Sequence, residues 1–442
     1  MEPPVHVIGG GLAGCEAAWQ LARRGVRVHL YEMKPRRFSA AHSNEGLAEL
    51  VCSNSLRSDQ IHNAIGLLHE EMRRLGSLVL SAADRTRVPA GKALAVDRVT
   101  FARKITESIE ARPEIGLVRQ EVTQLPDGWT IVATGPLTSD ALADSLKGLC
   151  GESLYFYDSI APTVYADSLN LDVIFRASRY EDGEGDYLNV PLTREQYYDF
   201  VDEVARAEKV PLHRFEAARY FEACLPIEVM VQRGRDTLAF GPLKPVGLRD
   251  PRTGEVPFAV VQLRQEDRLG TLYNLVGFQT RMRVGEQRRI LRSLPGMEKA
   301  VFARFGSVHR NTFIRSPALL DAGLEHRQRP RLFFAGQIAG VEGYVESAAL
   351  GLVVGVHVAN RVRGRMAPPP PPTTALGSLL RHLREADPRR FQPMNINYGL
   401  LPPLEHAGRR TPRRDRNLAM SQRALRDLEA YREALRALGD PA

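Results

Sequence analysis

Gly9, Gly11 and Gly14 have the spacing of a turn that receives a pyrophosphate. They lie in the run Gly9-Gly10-Gly11-Leu12-Ala13-Gly14, between a short apolar stretch and a helical pattern. In such a turn the first glycine permits the bend and the second lets backbone approach the phosphates, while the third lets helix pack on strand. The anion then rests on the helix N-terminus, where unpaired N–H groups and the helix dipole favour it. Glu32 ends the next apolar stretch and can accept hydrogen bonds from ribose hydroxyls. A carboxylate there disfavours the 2′-phosphate of NADP, so FAD or NAD suits the site. The second kind of chemistry is thiol chemistry. Cys15, Cys52, Cys150 and Cys224 are scattered, with no CxxC pair. That spacing excludes a disulfide framework, a zinc site and a dithiol oxidoreductase, and no metal is expected. A thiol that works here works alone or with a partner supplied by the fold. Cys15 falls within the first helix and reads as packing; Cys150 has no supporting context.

The elements that must position these groups follow from periodicity. A strand over 5–8, a helix over 15–24 closed by Gly25, and a strand over 26–32 form the βαβ opening of a doubly wound sheet. A loop is expected around Val51-Cys52-Ser53-Asn54, and its Ser-Asn pair could cap a helix whose dipole would activate the Cys52 thiol. Helices are expected over 66–74 and 99–111, with strands over 117–122 and 129–132. The second of these strands runs into Ala133-Thr134-Gly135. From about 160 to 280 the pattern changes to short strands, aromatic clusters and turns such as Asp182-Gly183-Glu184-Gly185, with a helix over 194–208. A strand over 331–335, Gly336-Gln337 and a helix over 345–362 return the chain to the first sheet. A stiff proline run, 368–372, precedes an Arg-rich helix over 416–438. The boundaries so drawn are 1–160, an insertion over 161–280, a return segment over 281–365, and a C-terminal region over 366–442.

Apolar residues make up 43% of the chain and charged residues 25%, an ordinary globular balance for a length that calls for two or three domains. No apolar run of bilayer-spanning length and no leader segment is read, so a cytoplasmic protein without a membrane partner is expected. The formal charge of +8 is carried mostly by arginine, which suits a polyanionic partner without requiring one.

Ala133-Thr134-Gly135 and Phe334-Ala335-Gly336-Gln337 resemble the second and third FAD-contacting motifs of two-dinucleotide-fold flavoproteins, with Gln337 where an acid is usual. The resemblance implies an α/β chain in which a Rossmann-like FAD-binding domain is interrupted by an α+β insertion and followed by a helical C-terminal segment. The opening through Cys15-Glu16-Ala17-Ala18-Trp19 resembles the folate- and FAD-dependent tRNA (uracil-5-)-methyltransferases. So do Val51-Cys52-Ser53-Asn54-Ser55-Leu56-Arg57, Phe221-Glu222-Ala223-Cys224-Leu225-Pro226-Ile227-Glu228 and Gly277-Phe278-Gln279-Thr280. The likeness continues through Val308-His309-Arg310-Asn311-Thr312-Phe313-Ile314, Gly340-Val341-Glu342-Gly343-Tyr344-Val345-Glu346-Ser347 and Asn395-Ile396-Asn397-Tyr398-Gly399-Leu400-Leu401-Pro402-Pro403. These segments run in order along nearly the whole chain. The family is similar in FAD fold to the larger enzymes that modify the tRNA wobble uridine, and the length here points to the shorter family.

The resemblance implies methylation of the T-loop uridine of tRNA at carbon 5. Methylenetetrahydrofolate gives the carbon, and reduced FAD, recharged by NADPH or NADH, gives the electrons. It implies Cys224 as the nucleophile that adds to uracil carbon 6, with Cys52 beside the flavin as a structural or proton-transfer group. Tyr344 is a candidate flavin contact or a core aromatic. Arg283, His309, Arg310 and Asn311 are the candidate folate surface: an imidazole can stack on a pterin and a guanidinium can pair with its carboxylates, though His309 reads equally as a structural histidine. For tRNA, the Arg409-Arg410-Thr411-Pro412-Arg413-Arg414 cluster and the helix after it offer phosphate contacts or a salt-bridged solvent face. Tyr197, Tyr198, Phe200, Phe215, Tyr220 and Phe221 offer partners for an extruded base. No stable protein partner is implied. A wobble-uridine modifying flavoprotein and a non-catalytic tRNA-binding flavoprotein are the alternatives.

Overall fold

Val5–Ile8 (β1) forms the middle strand of a five-stranded sheet, and Val5 and Val7 are fully buried. The computed structural model describes all residues except 1–2, 40, 152–153, 182–184, 211–224, 390, 405–411 and 442; the side chains of 154–160 and 308–311 also lie outside the description. The sheet joins β1 to β2 (Val28–Glu32), β6 (Ile115–Arg119), β7 (Thr130–Val132) and β16 (Leu332–Phe334) in the order β16-β7-β1-β2-β6. Every pairing in it is parallel. From β1 the chain moves outward to β2 and β6, then returns to the other side of β1 for β7 and β16. The order therefore reverses between β1 and β7, the place where open parallel sheets bind ligands beyond their carboxyl ends.

The Leu12–Arg23 helix covers this sheet and crosses the Tyr344–Val362 helix at glycine. A Cβ on Gly351 would lie 2.2 Å from the Ala13 carbonyl oxygen, and one on Gly355 would lie 2.8 Å from that of Ala17. Only glycine allows two backbones so close. Against the expectation that no apolar run reaches bilayer length, the Tyr344–Val362 helix does so by length and hydropathy. Its most apolar window is 83% buried inside the protein. It is a core helix, and each fully buried Val or Leu in it stabilises by roughly 1.5–3 kcal/mol.

The second sheet is antiparallel, in the order β10-β11-β12-β13-β9-β14. Its strands are β9 (Thr163–Tyr165), β10 (Phe175–Ala177), β11 (Tyr187–Leu192), β12 (Ala259–Gln265), β13 (Leu272–Leu275) and β14 (Phe302–Arg304). Val190, Val261 and Leu263 pack against Tyr197, Phe200 and Val204 of the Arg194–Arg206 helix, whose start is fixed by a Thr193–Gln196 capping box. Ile290, Leu294 and Met297 belong to the same core. The insertion sheet thus runs to Arg304, later than the boundary at 280 drawn from the sequence. β14 is only three residues long, too short for a periodic signal, and pairs antiparallel with the distant β9.

Two smaller sheets complete the strands among the described residues. β3 (Ser55–Ser58), β4 (Arg87–Val88) and β5 (Ala93–Val96) form one in the order β3-β5-β4. β8 (Leu154–Ile160) and β15 (Ser307–Phe313) form an antiparallel ribbon on the two passages between the larger sheets. The C-terminal helices Ala375–Glu385 and Arg413–Ala437 pack into the first core through Leu376, Leu379, Leu428 and Leu435. Asp440 then accepts a hydrogen bond from buried Arg24 at 2.6 Å and one from Asn360 at 3.1 Å.

Candidate functional site

A cleft opens between the carboxyl ends of β1 and β7, where the strand order reverses. Gly9 leaves β1 at φ +105°, and a Cβ on Gly14 would fall 1.8 Å from the Gly9 carbonyl oxygen. Gly11 differs: nothing lies within 4 Å of where its Cβ would be, so its Cα faces the open cleft. Glu32 at the end of β2 is buried, and its carboxylate accepts Gly10 N–H at 3.0 Å and Lys34 N–H at 2.9 Å. Lys34 Nζ in turn reaches Gly46 O at 2.7 Å and Glu49 at 3.2 Å. Opposite, Gly135 turns at φ +66° with open space beside it, and Thr134 and Thr138 share a hydroxyl hydrogen bond of 2.7 Å. Leu12, Ala13, Gln337 and Tyr344 also line the cleft. Gly336 does not; it is held at φ +81° with its missing Cβ 2.6 Å from Ala13 Cβ, a packing role. The open cradle at Gly11, the fixed carboxylate at Glu32 and the second glycine turn fit an extended dinucleotide.

The loop bearing Cys52 borders this cleft, since Val51 and Tyr344 line it. The expected helix after Ser53-Asn54 is absent: Ser55–Ser58 is β3, so Ser53 and Asn54 do not cap a helix. The loop is instead held by side chains from four distant places. The Tyr344 hydroxyl accepts Cys52 N–H at 2.7 Å and Ser53 N–H at 3.3 Å. Arg98 donates to Leu50 O at 2.8 Å and Cys52 O at 3.4 Å, and Arg304 to Val51 O at 2.8 Å and Cys52 O at 3.5 Å. Arg264 donates to Ser53 Oγ at 2.6 Å and to the side-chain oxygen of fully buried Asn54 at 2.9 Å. Asn54 itself donates to Gln265 O at 2.9 Å. Burial opposes the charge on Arg98, but Glu266, 2.6 Å away, outweighs it and lifts its pKa above the ordinary value. Burial and then the neighbouring Arg98 lower that of Arg304. Burial pushes the Tyr344 phenol far up, so it is neutral. Sequence reasoning singled out Cys52 and Tyr344 but missed Arg98, Arg264, Glu266 and Arg304, whose only common signal is spatial.

Cys224 lies outside the described residues, as do Arg219, Phe215, Tyr220 and Phe221. The segment directly after Cys224 is anchored. Ile227 N–H donates to Gln279 O at 2.7 Å, and buried Glu228 accepts Thr280 Oγ1 at 2.9 Å and Arg281 N–H at 2.7 Å. The Leu225–Glu228 and Gly277–Thr280 stretches, far apart in sequence, thus form one unit. Arg283 N-caps the Val284–Leu291 helix, is exposed, and stands 3.4 Å from Glu208; it does not line the cleft. His309, Arg310 and Asn311 lie on β15, in register with Asp158, Tyr157 and Phe156 of β8. Cys15 is a packing thiol: it is buried, donates to Gly10 O at 3.3 Å, and burial drives its pKa far up. Burial likewise raises that of Cys150 to about 11. No group of three or more metal-ligating side chains occurs among the described residues.

Two of the aromatics expected to meet a base do not face solvent, because Tyr197 and Phe200 are core residues of the insertion. The guanidiniums of Arg194 and Arg235 both lie over the Tyr198 ring. On the Arg413–Ala437 helix, Arg432 pairs with Glu429 and Arg423 donates to Pro402 and Pro403 carbonyls. Arg413 and Arg414 are exposed, while Arg409, Arg410 and Thr411 fall outside the described residues.

Residues 4–366 match the family model described as GIDA: Glucose inhibited division protein A. The Methylenetetrahydrofolate--tRNA-(uracil-5-)-methyltransferase TrmFO of Geobacter sulfurreducens is 60% identical over 433 residues, covering 98% of this chain and 99% of that protein. The protein of the same name from Pelobacter propionicus is 56% identical over 448 residues, covering 100% and 98%. That from Lactobacillus johnsonii is 52% identical over 435 residues, covering 98% and 99%. Among solved structures, GidA of Aquifex aeolicus superposes with a TM-score of 0.69 at 18% identity, over 98% of this chain and 74% of that one. That likeness is one of fold.

Proposed function

The chain belongs to the folate- and FAD-dependent tRNA (uracil-5-)-methyltransferases, within the glucose-inhibited division protein A family, and from that premise we propose which of its residues perform the reaction. The protein is an enzyme that methylates carbon 5 of a uridine in tRNA, with methylenetetrahydrofolate as carbon source and FAD as cofactor. The target is the T-loop uridine, NADPH or NADH is the reductant, and the working compartment is the cytoplasm. FAD, when bound, supplies the hydride that turns a methylene into a methyl group.

Uracil carbon 5 is a poor nucleophile until a thiolate adds at carbon 6 and makes the ring an enolate. Cys224 has that role. The enolate carbon attacks the folate-derived methylene; loss of the carbon-5 proton then expels tetrahydrofolate and leaves an exocyclic methylene, and hydride delivery to that carbon expels the thiolate. Cys52, by contrast, stands at the cofactor end, as a structural or proton-transfer group. One observation supports its placement: Tyr344 lines the dinucleotide cleft and its hydroxyl holds the Cys52 N–H. The segment carrying His309, Arg310 and Asn311 belongs to the folate side. Arg283, exposed and turned toward Glu208, suits the glutamate tail better than the pterin.

The deciding experiment supplies the yellow protein with unmodified tRNA transcript, NADPH and isotope-labelled methylenetetrahydrofolate. A parallel reaction receives labelled S-adenosylmethionine. Label is expected in T-loop 5-methyluridine from the folate alone, and Cys224→Ala is expected to abolish it. Undiminished labelling by Cys224→Ala would remove that thiol from the mechanism.

A further inference from the structure

Two guanidiniums from different sheets converge on one peptide carbonyl. Arg98 heads the Arg98–Glu110 helix on the cofactor side, and Arg304 ends β14 on the insertion side. Each spends one nitrogen on Cys52 O and the other on the carbonyl of a preceding residue, Leu50 or Val51. Their charges are not balanced. Glu266 pairs with Arg98 at 2.6 Å and also favours the charge of Arg304, but the hydrogen bonds of Arg304 go to neutral carbonyls, so one carboxylate faces two guanidiniums. Arg264, also facing the loop, donates to Ser53 and Asn54, and Tyr344 is neutral. The charged side chains gathered at the loop are therefore the three guanidiniums of Arg98, Arg264 and Arg304 and the Glu266 carboxylate that pairs with Arg98. Neutral amides could hold the same carbonyls. Removing cations from water without a partner is costly, so a surplus of them in a partly buried place favours an anion nearby. The charge of Arg98 and of Arg304 is also coupled to Cys52 itself.

We infer that Arg98 and Arg304 are positioning residues for Cys52, fixing the backbone of its loop and favouring its thiolate next to the cleft-lining Val51. The inference rests on the reading that Cys52 serves the cofactor end of the reaction. It also makes the loop a shared possession of the two larger sheets: the insertion must be docked, through Arg264, Glu266 and Arg304, for the thiol to be set.

The test is alkylation of Cys52 by iodoacetamide in the FAD-loaded enzyme, followed by peptide-resolved mass spectrometry across a pH series. Arg304→Gln is expected to slow Cys52 alkylation at neutral pH roughly three- to tenfold and to move the profile to higher pH. Arg304→Lys, which keeps the charge, is expected to stay near wild type. Glu266→Gln removes the carboxylate instead and is expected to move the profile to lower pH. A wild-type profile in Arg304→Gln, or equal displacement in the Gln and Lys variants, overturns the inference. Flavin absorbance reports whether each variant is loaded. Should Arg304→Gln fail to hold FAD, Glu266→Gln decides: an unmoved or upward-shifted profile overturns the inference. Failure of the parent reading is seen separately, as undiminished methyl transfer by Cys52→Ala, and it leaves the alkylation profiles standing.

Discussion

The dinucleotide cleft and the Cys52 loop meet at Val51 and Tyr344, yet they are made of opposite materials. The cleft is backbone: Gly9 and Gly135 at positive φ, Gly14 pressed on a carbonyl, Gly11 open, with the Glu32 carboxylate fixed to the glycine turn. The loop is held by side chains, with Tyr344, Arg98, Arg264 and Arg304 each taking one or two of its polar groups. A backbone site is set by local sequence and fails abruptly when a Cβ is added. A side-chain clamp is set by tertiary structure and loosens one bond at a time.

The sharpest way to break this contrast lies in the glycines. Gly14→Val places a side chain where even a Cβ would overlap the Gly9 carbonyl, so the turn cannot close. Loss of bound flavin is expected, with a Tm fall of several degrees or insoluble protein. Gly11→Ala meets no protein atom within 4 Å. It is expected to leave the apoprotein Tm within about a degree while weakening FAD at least tenfold, because the methyl group occupies the pyrophosphate cradle. FAD titration with thermal melts checks both. If Gly11→Ala bound flavin normally, the cleft would not seat its phosphates at this turn.

On the other side of the comparison, Tyr344→Phe keeps the ring against the cleft and deletes the oxygen that takes two N–H groups. An unsatisfied partly buried N–H costs about 1–3 kcal/mol. A fall in kcat of roughly tenfold or more is expected, with flavin content unchanged. Loss of flavin together with kcat would mean that the loop and the cleft form one site rather than two.

The same contrast explains what the sequence could disclose. The βαβ opening, the glycine turn and Glu32 are legible because each depends on residues close together in the chain. The helix over 15–24 was expected and Leu12–Arg23 is found, shifted because the turn ends at Gly11. The clamp was not legible. Arg98, Arg264 and Arg304 belong to an ordinary helix start and two ordinary strands, and only the docking of the second sheet brings them to Cys52. The local sequence suggests a helix cap at Asn54; its role, bridging to Gln265 and Arg264, requires a partner more than two hundred residues away. The aromatics of the 194–206 stretch suggest a base-stacking surface only because a helix pattern does not say which face the neighbouring sheet will cover.

The smallest expected effect tests whether the scaffold stays out of this division. Glu71 is fully buried on the Ala64–Arg74 helix and accepts Ala375 N–H at 2.7 Å and Leu376 N–H at 2.9 Å, capping the first C-terminal helix. Burial pushes its pKa up to about 8, against the downward pull of those two N–H groups. The unfolded chain releases this proton near the ordinary carboxylate value, about 4.3. Between the two values the native state holds more protons, so stability is fully present below the lower one and falls as pH rises toward the higher. A Tm decline of a few degrees between about pH 5 and 8 is expected, at no more than roughly 1.4 kcal/mol per pH unit. Glu71→Gln keeps an acceptor for the helix and cannot titrate, so it should flatten that slope. It should leave the pH profile of methyl transfer unmoved, because Glu71 contacts neither the cleft nor the loop. A displaced activity profile in Glu71→Gln would mean that the C-terminal helices reach the chemistry, and that the two regions do not share a passive support.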